Sequence, residues 1–165
     1  MGRNATPFDR ARARIPEKIL NESGKVFYSG RSAFSPPAQL YILGVNPGGN
    51  PSAHDQKTVG AHTEWIAQNA PANWSAYRDE SWEGRSAGRS GMQPRMLHMF
   101  EALGMDPGLV PASNLIFVRS PRESDLGSAA NRLADLCWPF HRAVIDRLRP
   151  RVVLCLGRKS GEYVR

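Results

Sequence analysis

Three short apolar runs stand out along the chain, at residues 40–45 (LYILGV), 114–118 (NLIFV) and 151–156 (RVVLCL). Each run is mostly continuous rather than alternating and is rich in β-branched residues, which is typical of strands buried on both faces. The first and third runs end at Gly44 and Gly157, where a strand can turn into a loop or a helix. The pattern therefore predicts three strands of a buried sheet.

Two helical patterns separate these runs, as parallel strands require. Residues 93–103 carry one apolar helical face, which we interpret as core packing rather than a cofactor groove; its members are Met92, Met96, Met99, Phe100 and Leu103. Residues 128–149 also keep helical spacing, but Pro139 interrupts the backbone ladder and predicts two helices or one kinked helix. Strand, helix, strand, helix, strand indicates an α/β domain with a mainly parallel sheet.

Composition sets the class of protein. The chain has 165 residues, of which 41% are hydrophobic, as in one globular domain with a real core. It has neither a run of about 18 apolar residues for a membrane span nor a secretory signal at its start. Two cysteines, Cys137 and Cys155, are too few for a disulfide framework or a four-cysteine metal site. We expect a monomer in the reducing cytoplasm, with a polar basic arm at 1–24 and a single domain at 25–165.

The formal net charge of +7 favours an anionic partner such as nucleic acid. Much of the excess of lysine and arginine lies near the two ends of the chain. A solvated tail and the basic face of a helix explain that distribution equally well, so both interpretations stay open at this point.

The stretch GVNPGGNP at residues 44–51 is the most informative in the chain. Its glycines let the backbone pass close to a ligand, and Pro47 fixes the turn at the carboxyl end of the first strand, where ligands bind in such sheets. Asn46 is thereby held at the strand tip, facing the cleft; the alternative is that it only caps its own turn. The stretch lacks G-x-G-x-x-G spacing and no Walker loop surrounds Gly157, so neither NAD nor ATP is indicated.

Several segments in order resemble one known family. Residues 44–48 have the form G-(I/M/V)-N-P-G, residues 113–121 read SNLIFVRSP, and residues 137–140 and 148–157 read CWPF and LRPRVVLCLG. Residues 84–104 fit more weakly. The sequence resembles the uracil-DNA glycosylase superfamily over most of residues 38–164. The resemblance implies a three-layer α/β/α fold with a short, mainly parallel sheet, and DNA as the partner.

The resemblance also implies a reaction, hydrolysis of the N-glycosidic bond of uracil or a related damaged base in DNA repair. The base is flipped out and held while charge builds on the sugar and on the departing base. Asn46 cannot accept a proton as a carboxylate does, but it can orient a water toward the sugar carbon. Asn114 offers a donor and an acceptor to one edge of the base, or is a strand-start asparagine satisfied by backbone.

The remaining site residues follow from the same resemblance. Base-binding positions are Gly44, Val45, Pro47 and Gly48 of the first motif. A flipped base also needs an aromatic face to stack on, for which Trp82 is preferred over Trp65, Trp74 and Tyr77. Arg119 and Ser120, just past the second strand, are candidates for DNA phosphate binding, with a surface turn as the alternative. We expect no metal and no cofactor.

The chain also departs from the family pattern. No His-Pro pair occurs, although the superfamily places a His-Pro-Ser type loop after a fourth strand, and all four histidines precede the third run. We expect either a chain truncated at its C-terminus, without its last strand, or a divergent member. A catalytically inactive nucleic-acid- or nucleobase-binding protein of this fold is thus the main alternative. An unrelated α/β domain that binds a nucleotide-like ligand is a third.

Overall fold

A computed structural model describes residues 5–165. Three β-strands, six α-helices and four short 3₁₀ helices follow one another in these residues. The strands are β1 (Leu40–Gly44), β2 (Ala112–Asn114) and β3 (Val152–Cys155); the helices are α1 (Pro7–Arg12), α2 (Val59–Gln68), α3 (Ala76–Asp79), α4 (Gln93–Ala102), α5 (Ala129–Leu148) and α6 (Arg158–Val164); the 3₁₀ helices are Glu17–Ile19, Arg31–Ala33, Pro51–His54 and Glu123–Leu126.

The three strands form one all-parallel sheet in the order β2-β1-β3. The central strand β1 is buried at every position, and its last residue, Gly44, lies opposite Asn114, the last residue of β2. The predicted α/β fold with a short parallel sheet is confirmed. None of the helices in the described residues is long and apolar enough to cross a membrane.

The second strand lies earlier in the chain than predicted, at Ala112–Asn114 rather than 114–118. The amides of Leu115 and Ile116 still donate to the carbonyls of Gly44 and Val45 past the end of the strand, at 2.9 and 2.8 Å. The apolar run therefore marks residues that are buried, and not the residues that form the strand. As a consequence, Asn114 is at the carboxyl end of β2, where ligands bind, and not at its start.

The third strand is less buried than its sequence predicts. Val152 is 55% exposed and the rest of β3 is only half-buried. The prediction of a strand buried on both faces is wrong here because β3 lies at an edge of the sheet. A continuous apolar run is also compatible with an edge strand.

The N-terminal residues do not form a separate polar arm. In α1, Thr6 and Asp9 make a capping box, and Phe8 packs against Phe27 with 4.7 Å between ring centroids. Ile15 and Ile19 are also in the core. The expectation of an arm at residues 1–24 is wrong for the described part, because a few well-spaced apolar residues among the arginines are enough to anchor it. Residues 1–4 lie outside the described residues.

An extended segment at residues 24–28, the edge segment, runs antiparallel along β2 and the residues after it. Gly24 bridges Val118 and Phe27 bridges Ser113. The Lys25 amide donates to the Phe117 carbonyl at 2.9 Å. This pairing covers the β2 side of the sheet and brings the side chains of the edge segment close to the strand tips.

Helix α5 is a single helix despite Pro139, rather than the two helices that were one of our alternatives. Pro139 cannot donate to the carbonyl of Asp135, but both residues are exposed, so water can satisfy that carbonyl. The opposite face is buried against the sheet, and there His141 makes hydrogen bonds to Tyr41 and to the Leu115 carbonyl. On α4, Met96 and Phe100 are buried as predicted, whereas Met92 and Leu103 at its ends are exposed.

Candidate active site

The loop after β1 holds the Asn46 side chain in one orientation. Its Nδ2 donates to Ser120 Oγ at 2.8 Å and to the Pro47 carbonyl at 3.0 Å. The Ser120 hydroxyl in turn donates to the Arg122 carbonyl at 2.7 Å. The side-chain nitrogen of Asn46 thus bonds to its own turn, as the alternative interpretation of this residue expects. Among the described residues its Oδ1 accepts no hydrogen bond, so a water can donate to it.

The two strand tips meet through Gly44. A Cβ atom at position 44 would lie 2.0 Å from Asn114 Oδ1, so only glycine leaves room for that carboxamide across the end of β1. Asn114 is 8% exposed. No hydrogen bond within the described residues ties its carboxamide to backbone. The alternative interpretation of Asn114, as an asparagine satisfied by backbone, would require such a bond. Gly44 therefore has a specific role that the sequence motif alone did not show.

Tyr28 of the edge segment connects Asn114 with Trp82. Burial raises the pKa of Tyr28, and the neighbouring Asn114 side chain opposes that rise. The rings of Tyr28 and Trp82 meet edge to face, with 6.4 Å between centroids. Trp82 is half-buried, and its Nε1 donates to Glu80 Oε2 at 2.7 Å. The predicted base reader and the preferred stacking residue thus both neighbour one tyrosine.

The other aromatic candidates have different surroundings. Trp74 and Tyr77 are buried in the core. Trp65 is partly exposed but packs edge to face on Trp74, with 5.1 Å between ring centroids. These contacts favour Trp82 as the aromatic residue of the site.

Sequence reasoning missed the ion pair of the buried Lys25 and the half-buried Glu80. Lys25 Nζ lies 2.5 Å from Glu80 Oε2 and 4.1 Å above the centre of the Tyr28 ring, with the Trp82 ring at 5.4 Å. Burial lowers the pKa of Lys25, and Glu80 opposes this shift. Burial works to raise the pKa of Glu80, but the Lys25 charge and hydrogen bonds from Lys25 and Trp82 outweigh it, so that pKa is lowered. The partners are 55 residues apart, which no local pattern reveals.

Arg119 supports the loop after β1. Its guanidinium donates to the Gly48 carbonyl and to Ser23 Oγ. The His54 ring lies over Gly49, where a Cβ atom would be 3.2 Å from His54 Nε2. Burial, followed by the charges of Arg119 and Lys57, lowers the pKa of His54. The half-buried Arg119 thus positions the loop, and part of its guanidinium is already engaged.

The structure places Ser120 differently from its predicted phosphate-binding role. Ser120 is 5% exposed, and its hydroxyl both accepts from Asn46 and donates to the Arg122 carbonyl. Its amide donates to the Pro47 carbonyl at 3.1 Å. A hydroxyl committed in this way positions Asn46 and is not presented to a ligand.

Pro47 is buried, Val45 is half-buried and Gly48 is exposed with open space around it. Two surface cavities, of about 370 and 410 Å³, lie elsewhere, one between α1 and α5 and one beside the start of α4. In residues 5–165, no three or more histidine, cysteine, aspartate or glutamate side chains are grouped to hold a metal ion. The site thus consists of polar side chains at the strand tips, next to the aromatic rings of Tyr28 and Trp82.

Comparison of the chain with protein families and with curated proteins adds no relative. The chain matches no protein-family description, and no curated protein shows significant similarity to it. Its functional interpretation therefore depends on the motifs and on the geometry described above.

Proposed function

We propose that this protein is a DNA glycosylase that removes uracil or a related damaged base, with Asn46 positioning the attacking water. The observation that carries the proposal is the pairing of the two strand tips, which puts Asn46 and Asn114 at the same edge of the sheet. The carboxyl edge of a parallel sheet is where ligands of such folds bind. The resemblance of residues 44–48 to the family motif supports the same assignment.

The available atoms suit a hydrolysis that depends on positioning. Asn46 is fixed through its nitrogen by Ser120, and its free Oδ1 can accept a hydrogen bond from a water directed at the sugar carbon. Asn114 presents a donor and an acceptor in one plane, which match the edge of an extruded pyrimidine. Trp82 provides a face for stacking.

The local charge favours a polyanion. Three positive side chains lie near one another around the loop, and the carboxylate of Glu80 offsets the charge of one of them; they are Lys25, Lys57 and Arg119. Lysine and arginine that neutralise phosphates release counterions, so DNA binding should weaken as salt rises.

The test uses the full chain and oligonucleotides that contain a single uracil, in single- and double-stranded form, under single-turnover conditions. Removal of the base leaves the phosphodiester backbone intact, so alkali is then added to convert each abasic site into a strand break. We expect breaks at the uracil position and a loss of about 100-fold in rate in Asn46→Ala, because the water loses its acceptor. Asn50→Ala is the matched control, since Asn50 is exposed on the same loop and only caps Ser52. An oligonucleotide that stays intact after alkali treatment at high protein concentration, or equal rates for wild type and Asn46→Ala, would contradict the proposal.

A binding protein without activity is the second candidate. It is favoured by the Asn46 nitrogen, which is bound to its own loop at the Pro47 carbonyl. Salt-sensitive binding to uracil-containing DNA that survives Asn46→Ala, with no cleavage in any variant, would select it over the enzyme.

A further inference from the structure

Stability alone does not explain why the Lys25–Glu80 ion pair is present. Lys25 is 5% exposed, and its ammonium lies among aromatic rings. Removing a lysine and a glutamate from water is costly, and a buried ion pair is often no more stabilising than apolar residues of the same volume. A pair of this kind next to a candidate active site therefore points to a use for its charge.

The ammonium of Lys25 has capacity left for another partner. An ammonium has three donors, and within the described residues Lys25 Nζ makes one hydrogen bond, to Glu80. It lies over the Tyr28 ring, whose hydroxyl end borders Asn114, and beside Trp82. The positive charge thus lies next to the predicted stacking residue, over the tyrosine that neighbours the predicted base reader.

Other cations near the loop are less suitable for a ligand inside the site. Arg119 is engaged by Gly48 and Ser23, and Lys57 is exposed to solvent, where water screens its charge. Lys25 combines burial with unused donors. A buried charge acts on its neighbours through a lower effective dielectric constant, and so more strongly.

We propose that Lys25 stabilises the negative charge that develops on the departing base, while Glu80 holds both Lys25 and Trp82 in place. This inference rests on the proposed glycosylase function. In the reaction the bond between the sugar carbon and the base nitrogen breaks, and its electron pair stays on the base. Water adds to the sugar carbon and loses a proton, and the base anion finally takes up a proton. Lys25 keeps its own protons throughout and acts by charge and hydrogen bonding.

The experiment compares two leaving groups in the full chain. Uracil and 5-fluorouracil have nearly the same shape, but fluorine withdraws electrons and makes the departing anion more stable. If Lys25 stabilises that anion, Lys25→Met should slow uracil release by about 10- to 100-fold and slow 5-fluorouracil release clearly less. The ratio of the two rates is measured within one variant, so it does not depend on how much of that variant is folded.

A second variant separates charge stabilisation from a structural role. Lys25→Met combined with Glu80→Gln removes the uncompensated carboxylate that the single variant leaves buried. We expect this double variant to remain slow on uracil, with the same altered ratio, and Lys18→Met, at an exposed position, to keep the wild-type ratio. Equal losses on the two bases, or recovery of the uracil rate in the double variant, would overturn the inference while the glycosylase function stands. A wild-type protein inert on both bases would overturn the proposed function itself, and this inference with it.

Discussion

The two sides of the small sheet differ in what they bury. On the β2 side the edge segment covers the sheet and encloses polar groups, among them Lys25, Ser113 and Asn114. On the β3 side the strand carries apolar residues and leaves Val152 more than half exposed. Burying polar groups costs free energy unless they are hydrogen-bonded. The β2 side, which holds these buried polar groups, is therefore the one where we look for a function.

The largest expected effect on stability concerns His141, a buried polar residue of the β2 side. Burial lowers the pKa of His141 to about 3, well below its ordinary value of 6.5. The unfolded chain therefore takes up a proton below about pH 6.5 that the folded chain does not. The stabilising contribution is complete above pH 6.5 and falls toward pH 3, by at most about 1.4 kcal/mol per pH unit.

Urea unfolding at pH 7, 6 and 5 measures this slope. His141→Phe should be less stable than wild type at pH 7, because Tyr41 and the Leu115 carbonyl lose their partner, yet its stability should fall less steeply with acid. Burial lowers the pKa of His62 to about 3 as well, so the variant keeps part of the slope. His98→Gln, at an exposed position, is the matched control. An unchanged slope in His141→Phe would contradict the assignment.

A smaller effect is expected where the two strand tips meet. Gly44→Ala places a methyl group 2.0 Å from Asn114 Oδ1 and should cost about 1–3 kcal/mol, as overpacking does. Gly48→Ala, in the same loop, has open space around its Cβ and should change stability by less than about 0.5 kcal/mol. Thermal unfolding of the two variants tests the contrast. Equal stability of the two would mean that Asn114 is not held against Gly44.

The smallest effect should come from the β3 side. Val152→Thr changes an exposed residue of an edge strand to another β-branched one, so stability should change by less than about 0.5 kcal/mol. Urea unfolding checks this expectation, with the buried Leu43→Ala of β1, at about 2–5 kcal/mol, as the contrasting variant. A large loss in Val152→Thr would mean that β3 is as tightly packed as β1.

Local sequence patterns predicted which helices and strands form better than they predicted how deeply each of them is buried. The run at residues 40–45 gave β1 almost to the residue because a central strand really is buried on both faces. The run at 151–156 looked the same but belongs to an edge strand, since the neighbours of a strand are not encoded in the strand itself. The burial of Phe8 was not predicted because the many arginines around it dominate the composition.

The candidate site shows the same limit. The turn that holds Asn46 could be predicted because glycine and proline mark it, whereas a role for Asn114 was predicted only because the resemblance points to it. The Ser120 hydroxyl was predicted to bind phosphate because the sequence alone does not show that it accepts a hydrogen bond from Asn46. Lys25 and Glu80 could not be paired from sequence, because only the course of the edge segment along β2 brings them together.

The edge segment also has a consequence for how the molecule is made. Ser113 Oγ donates to the Val26 carbonyl, a contact between residues 87 apart in the chain. Contacts of such long range form slowly, because a large loop must close first. During synthesis the early residues therefore emerge from the ribosome well before their partners around position 113 exist. We therefore expect Lys25 and Tyr28 to become ordered late in folding. The fluorescence of Trp82, which packs on Tyr28, should then report on this last stage of folding.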